Sequence, residues 1–466
     1  MPLPSNDDPQ PRARLNRVLG MPALVLFGLA YMVPLTVFTT YGVVADMTAG
    51  HVPTAYVVTL AAMVFTAYSY GRMVRAHPFA GSAYTYTQKS FGGHLGFMTG
   101  WALMLDYIFL PMINYLVIGI YLSASFPAIP NWVWIVAAIV LVTGLNVLGI
   151  KLVTAANLAL IAIQAVFIVV FVAMSVHTMT RNGTPPLASP FVDSSLHLST
   201  VFAGAAVLCL SFLGFDAVST LSEETRDARR RIPRAIMLVT LIGGGVFIGI
   251  SYVGHLVFPH WQDFTNVDSA ALDVMKVAGG AFLTTFFTAA FVSGAFASAM
   301  ASQASVSRIL YAMGRDGVLP SRFFGRLHAR FQTPALATLV VGVLSLVALG
   351  ISLELASSMI SFGALVAFSF VNLSVIKHYV VDRRKRTRVD MLKYGVVPGI
   401  GVLLTLWLWT SLSGTTFVVG LSWAAVGFIY LLGLTRMFRR RPPELHMVDE
   451  EASEDVDAQQ MGPVAR

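Results

Sequence analysis

Two stretches decide how this chain is built: GLAYMVPLTVFTTYG, from Gly28 to Gly42, and LCLSFLGFDAVSTLSEET, from Leu208 to Thr225. Each lies in an apolar run long enough to cross a bilayer, and each carries a helix breaker. Pro34 has no N–H to give, so a helix running through Gly28 and Pro34 loses a backbone bond there. Gly214 sits in the second run, flanked by Ser211 and Phe212 before it and by Phe215 and Asp216 after it. In hydrocarbon a freed backbone group is tolerated only where it faces protein, water or ligand. Glycine and proline are common in membrane helices generally, so either break alone says little. Both together, at matching places in two blocks of five spans, say more. Five is odd, so the second block is inverted relative to the first. Secondary transporters with inverted repeats have this pattern, and their half-helix ends bind substrate and coupling ions near the midplane.

Composition supports a membrane setting. Of 466 residues, 56% are apolar and 12% charged, against about 45–50% and about 25% in soluble domains. The mean hydropathy is +0.72. Disorder and nucleic-acid binding are excluded as the main identity. A span needs about 20 apolar residues. Twelve runs qualify: 22–45, 54–74, 94–123, 131–149, 152–177, 199–222, 234–258, 278–304, 334–352, 355–378, 393–411 and 415–436. The polar, proline-containing first twenty residues lack the pattern of a signal peptide. The acidic stretch from Asp449 to Arg466 reads as a disordered tail. Cys209 is the lone cysteine, so no intramolecular disulfide can form.

Charge placement tests the count. With the N-terminus cytoplasmic and every run crossing, 29 of the 31 Lys and Arg residues fall on the cytoplasmic side, and Arg181 and Lys276 alone fall outside. One miscounted span would scramble this alternation. The expectation is a multi-pass membrane protein with both termini in the cytoplasm. The basic loops read as topology signals beside anionic headgroups of the lipid bilayer, not as nucleic-acid sites.

Two of the 23 acidic residues lie deep inside spans, Asp106 in the third and Asp216 in the sixth. An ionised side chain there costs at least about 2.5–3.5 kcal/mol, which marks it as a functional candidate. A carboxyl removed from water can change protonation state near neutral pH, so Asp216 is a candidate proton carrier. Glu223 and Glu224, at the end of the same span and followed by arginines, suit either a gate or a solvated face. Asp106 and Asn114 are eight apart and share a helix face, with Tyr107 flanking it. A carboxylate, an aromatic ring and an amide suit a cationic amine through ion pairing, cation–π contact and hydrogen bonding. Tyr31, Phe212 and Phe215, at the breaks, are candidates for aromatic walls. An α-amino acid would instead set its carboxylate on amide N–H groups at the half-helix ends, and the same breaks serve that cargo.

Other chemistries find little support. The histidines lack metal-ligand spacing. The glycine run Gly243–Gly249 lies within a span and suits helix packing. GK[ST] and HExxH are both absent, so neither ATP-driven transport nor zinc chemistry is indicated. No cofactor is called for, and no nucleophile arrangement points to an enzyme. A sensor that binds amine without moving it would need a signalling domain, and none is evident. Whether the chain works alone or as a homo-oligomer is not legible.

Four segments resemble the amino acid–polyamine–organocation (APC) superfamily: GSAYTYTQKS (81–90), LMLDYIFLPMIN (103–114), LSFLGFDAVSTLSEET (210–225) and SRILYAMGRDGVLP (307–320). The resemblance covers nearly the whole chain apart from its tails. The last segment is common to many members, whereas LDYIFLPMIN and GFDAVSTLSEET look closer to bacterial putrescine importers. The resemblance implies an all-α, twelve-helix fold with a five-plus-five inverted-repeat core and discontinuous first and sixth helices. It divides the chain into an N-terminal tail (1–21), a first repeat (22–178), a second repeat (199–378), two further spans (393–436) and a C-terminal tail (437–466). It implies alternating access, with cargo held between spans one, three, six, eight and ten. It assigns substrate handling to Tyr107, substrate contact to Asn114 and proton response to Asp216, an aspartate where the antiporters of the superfamily carry glutamate. Those antiporters can carry tryptophan where this chain has Leu210. The expected activity is import of a small organic cation, most simply putrescine, by proton symport, with an amino acid permease as the alternative.

Overall fold

The computed structural model describes residues 19–78, 82–148, 151–222, 225–315, 319–328, 333–440 and Pro442. Among these the regular structure is helical, apart from one isolated bridge between Leu19 and Thr225. The helices are α1 (Met21–Met32), α2 (Tyr41–Met47), α3 (Val52–Ala76), α4 (Ser82–Phe91), α5 (Gly93–Ser125), α6 (Asn131–Leu148), α7 (Lys151–Asn182) and α8 (Leu198–Leu208). They continue with α9 (Ala228–Val257), α10 (Ala270–Arg315), α11 (Ser321–Phe324), α12 (Ala335–Leu344), α13 (Leu353–Val375), α14 (Arg388–Met391), α15 (Val397–Thr410) and α16 (Gly414–Leu434). Among the described residues eleven stretches are long and apolar enough to cross a membrane. The ninth run, expected over 334–352, forms a shorter apolar helix over Ala335–Leu349 that tightens to 3₁₀ in its last five residues. It spans only about 25 Å. The protein is thus an all-α, polytopic membrane protein.

Both expected interruptions are present. α1 stops at Val33, whose φ is +49°, a conformation rare for a β-branched residue. Pro34 follows and opens a 3₁₀ turn over Pro34–Phe38. Thr36 stitches the junction, its backbone N–H bonding Val33 O at 2.7 Å and its hydroxyl Met32 O at 3.0 Å. Gly28 lies inside α1, five residues before the break. A Cβ there would fall 2.6 Å from Val239 and 2.8 Å from Val218, so its bareness serves close packing. In the sixth span α8 gives way to a 3₁₀ turn over Cys209–Phe212, then to Gly214 at φ +124°, then to a second turn over Ala217–Leu221.

Burial separates core from periphery. Of the most apolar window of each span, 89% is buried around α8 and 72% in α5 and α13, against 22% in α15 and 17% in α16. The second interrupted span, α5 and α13 therefore form the middle, the first interrupted span is 33% buried, and the last two spans lie outside. α16 is nonetheless held firmly. Trp101 Nε1 donates to Trp423 O and Trp423 Nε1 donates to Trp101 O, both at 2.9 Å, with the rings stacked 5.0 Å apart. The polar connection between the second and third spans contains α4, a short helix that no apolar period announces. It buries Tyr84, Tyr86 and Thr87 under α5 and α13.

Candidate functional site

α5 carries most of the site. Its apolar character keeps it helical through Pro111, and proline has a specific effect there: it cannot give the helical hydrogen bond to the carbonyl of Tyr107, four residues earlier. The Tyr107 carbonyl, one residue along from Asp106, thereby loses its usual helical donor. Asp106 is 7% exposed. α13 touches α5 at this point through Gly363, where a Cβ would fall 2.8 Å from Ala102 O and 3.0 Å from the Asp106 amide nitrogen. Among the described residues no hydrogen-bond donor or cation is paired with the Asp106 carboxylate.

Asp216 is placed differently. Its Oδ1 accepts the Gly214 amide at 3.2 Å, and the amides of Asp216 itself and Ala217 are close enough to favour its charged form. It folds back on the break and caps it. The two carboxylates are nevertheless neighbours. Asp106 and Asp216 lie within electrostatic reach of each other, Tyr31 and Tyr107 lie within reach of both, and Tyr70 within reach of Asp216. Residues from the first, second, third and sixth spans thus gather around a pair of acids.

A narrow cavity of about 40 Å³ lies next to this group. The first break gives it Tyr31, Met32, Val33, Thr36 and Thr39; α5 gives Leu110, Ile113, Asn114 and Val117; the second break gives Leu210 and Leu213; α10 gives Ser298. Asn114 Nδ2 donates to Leu110 O at 2.8 Å and to Ser298 Oγ at 3.1 Å. The cavity holds a few waters at most, so a cargo of several heavy atoms enters only after the helices part.

Several expected residues turn elsewhere. Ser211 Oγ lies 3.0 Å from Tyr56 OH, within α3 packing. Phe212 sits between Tyr56 and Phe247. Phe215 stacks on Phe368 at 5.3 Å and meets Tyr70 edge-on at 5.6 Å. Both rings are fully buried behind the break and neither lines the cavity; they anchor the backbone, where the sequence suggested walls. Pro34 shapes the first break, and Gly28 packs one turn before Met32. Glu223 and Glu224 lie outside the described residues. The sequence reading missed Thr36, Thr39, Ser298 and Gly363. Hydroxyls in helices commonly bond their own backbone, as Thr36 does, so composition gave no signal for them.

The amino acid permease family model matches residues 23–437. The chain is 44% identical to the low-affinity putrescine importer PlaP of Escherichia coli (strain K12) over 93% of its length and 97% of that protein. It is 27% identical to the branched-chain amino acid permease BcaP of Bacillus subtilis (strain 168), over 89% of this chain and 92% of that one. It is 26% identical to the methylthioribose transporter of the same organism, over 90% and 93%.

Proposed function

The chain belongs to the amino acid permease family and is a secondary transporter, and from that premise we propose that it imports putrescine or a closely related diamine by proton symport. The observation that carries the reading is Asp106. It is a buried carboxylate with no cationic or hydrogen-bonding partner among the described residues, one residue from the carbonyl that Pro111 leaves without its helical donor and near the rings of Tyr31 and Tyr107. An ammonium group supplies what each of these lacks. Asp106 and Tyr107 stand outside the lining of the small cavity; Asn114, about two turns along the same helix, lines it with Ser298 and offers polar contacts to the remainder of the cargo once the helices part. Asp216 is the proton carrier, because its protonation weakens the cap that fixes the sixth-span break and so links proton binding to the shape of the site.

The α-amino acid alternative fits less well. Its carboxylate would need free amide donors at the breaks, and the Gly214 amide at the second break already serves the Asp216 carboxylate. It would also enter beside two acids. The topology that goes with the reading has both termini cytoplasmic in an inner membrane, a first repeat over 22–178, an inverted second repeat over 199–378 and two added spans over 393–436.

The test is uptake of labelled putrescine by the full chain in proteoliposomes, with a competitor panel and imposed gradients. Diamines should compete, neutral amino acids should not, and an acidic exterior should drive accumulation without sodium. Competition by neutral amino acids would overturn the cargo, and accumulation that survives a protonophore would overturn the coupling.

A further inference from the structure

We propose that the arginine-lined cavity between α3 and α9 is a binding site for the headgroup of an anionic phospholipid bearing two phosphates. This cavity, about 440 Å³, is separate from the transport site and is lined by Arg75, Arg229, Arg230 and Arg234. α3 and α9 run antiparallel and touch where Gly71 meets Pro233, a Cβ on Gly71 falling 3.1 Å from Pro233 Cβ. One turn beyond that contact, α3 presents Arg75 while α9 presents Arg229 and Arg230, with Arg234 beside the contact itself. The backbone therefore brings four exposed arginines to the rim of one cavity.

Such convergence is unfavourable unless an anion answers it. Among the described residues the one acidic group near the four is Asp227, whose carboxylate lies 3.9 Å from Arg230 with both side chains largely exposed. One loose pair leaves a strong excess of positive charge. Arginine matches phosphate oxygens two at a time, so four arginines suit two phosphates. Basic pockets at the ends of membrane helices are suited to such headgroups.

The position of the cavity selects a lipid over a soluble anion. Leu238, Leu241 and Ile242 follow Arg234 on the same α9 face and are 41%, 46% and 43% exposed. Apolar side chains exposed at that depth face acyl chains, so a headgroup in the cavity has its tails running down α9. A free diphosphate would use the arginines alone and ignore this strip.

The test is native mass spectrometry of the delipidated full-length protein, titrated with cardiolipin, with the zwitterionic phosphatidylethanolamine, and with inorganic pyrophosphate. Cardiolipin should be retained, and Arg75→Gln/Arg234→Gln should weaken its retention about tenfold, roughly one ion-paired contact's worth. The charge-matched control Arg439→Gln/Arg440→Gln, changing two exposed arginines elsewhere, should bind as the unaltered chain does. Equal loss in both variants, or no loss in either, would overturn the site. Displacement of cardiolipin by pyrophosphate at equal concentration would overturn the lipid as occupant. If the glutamine variant is not monodisperse, Arg75→Lys/Arg234→Lys carries the test: it keeps the charge, loses the paired geometry, and should still bind more weakly than the control.

Discussion

Gly214 rests directly on Met32: a Cβ at Gly214 would fall 2.9 Å from the Met32 amide nitrogen, and equally close to Cδ1 of Tyr31. The two interruptions of the bundle therefore touch, and each fixes the other. Asp216 holds the sixth-span side of this contact through the Gly214 amide. Tyr31 stands on the first-span side with Asp106 and Asp216 both in reach. A movement of either break is felt by both acids.

Gly214→Ala should be severely damaging. The residue sits at φ +124°, which L side chains avoid at about 1–3 kcal/mol, and its methyl would collide with backbone, which cannot swing aside. Putrescine uptake should fall at least tenfold in proteoliposomes, with a lower melting temperature. Uptake within twofold of the unaltered chain would mean that the breaks do not need their contact.

The two aspartates should separate when stability and transport are measured together. Asp106→Asn removes an unpartnered buried carboxylate, so the melting temperature should hold or rise. Amine affinity should drop by about tenfold or more, as expected on losing a charged contact of about 1.5–3 kcal/mol. Asp216→Ala removes the acceptor of the Gly214 amide and should lower the melting temperature. Similar thermal behaviour in both variants would contradict the different surroundings described for them.

Ser298→Ala should alter affinity more than stability. The Ser298 hydroxyl accepts from Asn114 across the cavity, and one such bond is worth about 0.5–1.5 kcal/mol. KM for the diamine should change about threefold to tenfold with maximal velocity nearly kept. A changed velocity at constant KM would place Ser298 in the conformational step instead.

His77, just past the end of α3, gives a pH dependence. Burial lowers its pKa from 6.5 to about 4, helped by the nearby positive charges of His378, Lys89 and Arg383. The unfolded chain takes up this proton near pH 6.5 while the folded chain resists it until about 4. Stability is therefore full above 6.5 and declines as pH falls through that interval. His77→Gln should flatten the acid side of a melting-temperature profile, and an unchanged profile would show that His77 protonates freely in the folded protein.

Much of the fold was legible because the bilayer imposes it. Each of the twelve apolar runs contains a helix, and Pro34 and Gly214 mark the breaks through backbone chemistry that needs no tertiary context. Asp106, Tyr107 and Asn114 drew attention for a related reason: polar groups in hydrocarbon are costly. What remained hidden depends on distant contacts. Gly28 looked like a breaker but serves Val218 and Val239. Gly363 gave no sign that α5 passes at Asp106. α4 is too polar to register as a span, and its burial comes from α5 and α13. Phe212 and Phe215 lie beside the site in sequence, and only the packed structure shows their rings turned behind it.

The reciprocal bonds between Trp101 and Trp423 have a consequence for motion. Trp101 stands little more than a turn before Asp106 on the same helix, so the outermost segment is bolted to the element that carries Asp106. Any cycle that tilts α5 takes α16 along as a passenger. The two elements then behave as one rigid unit in whatever motion the bundle makes.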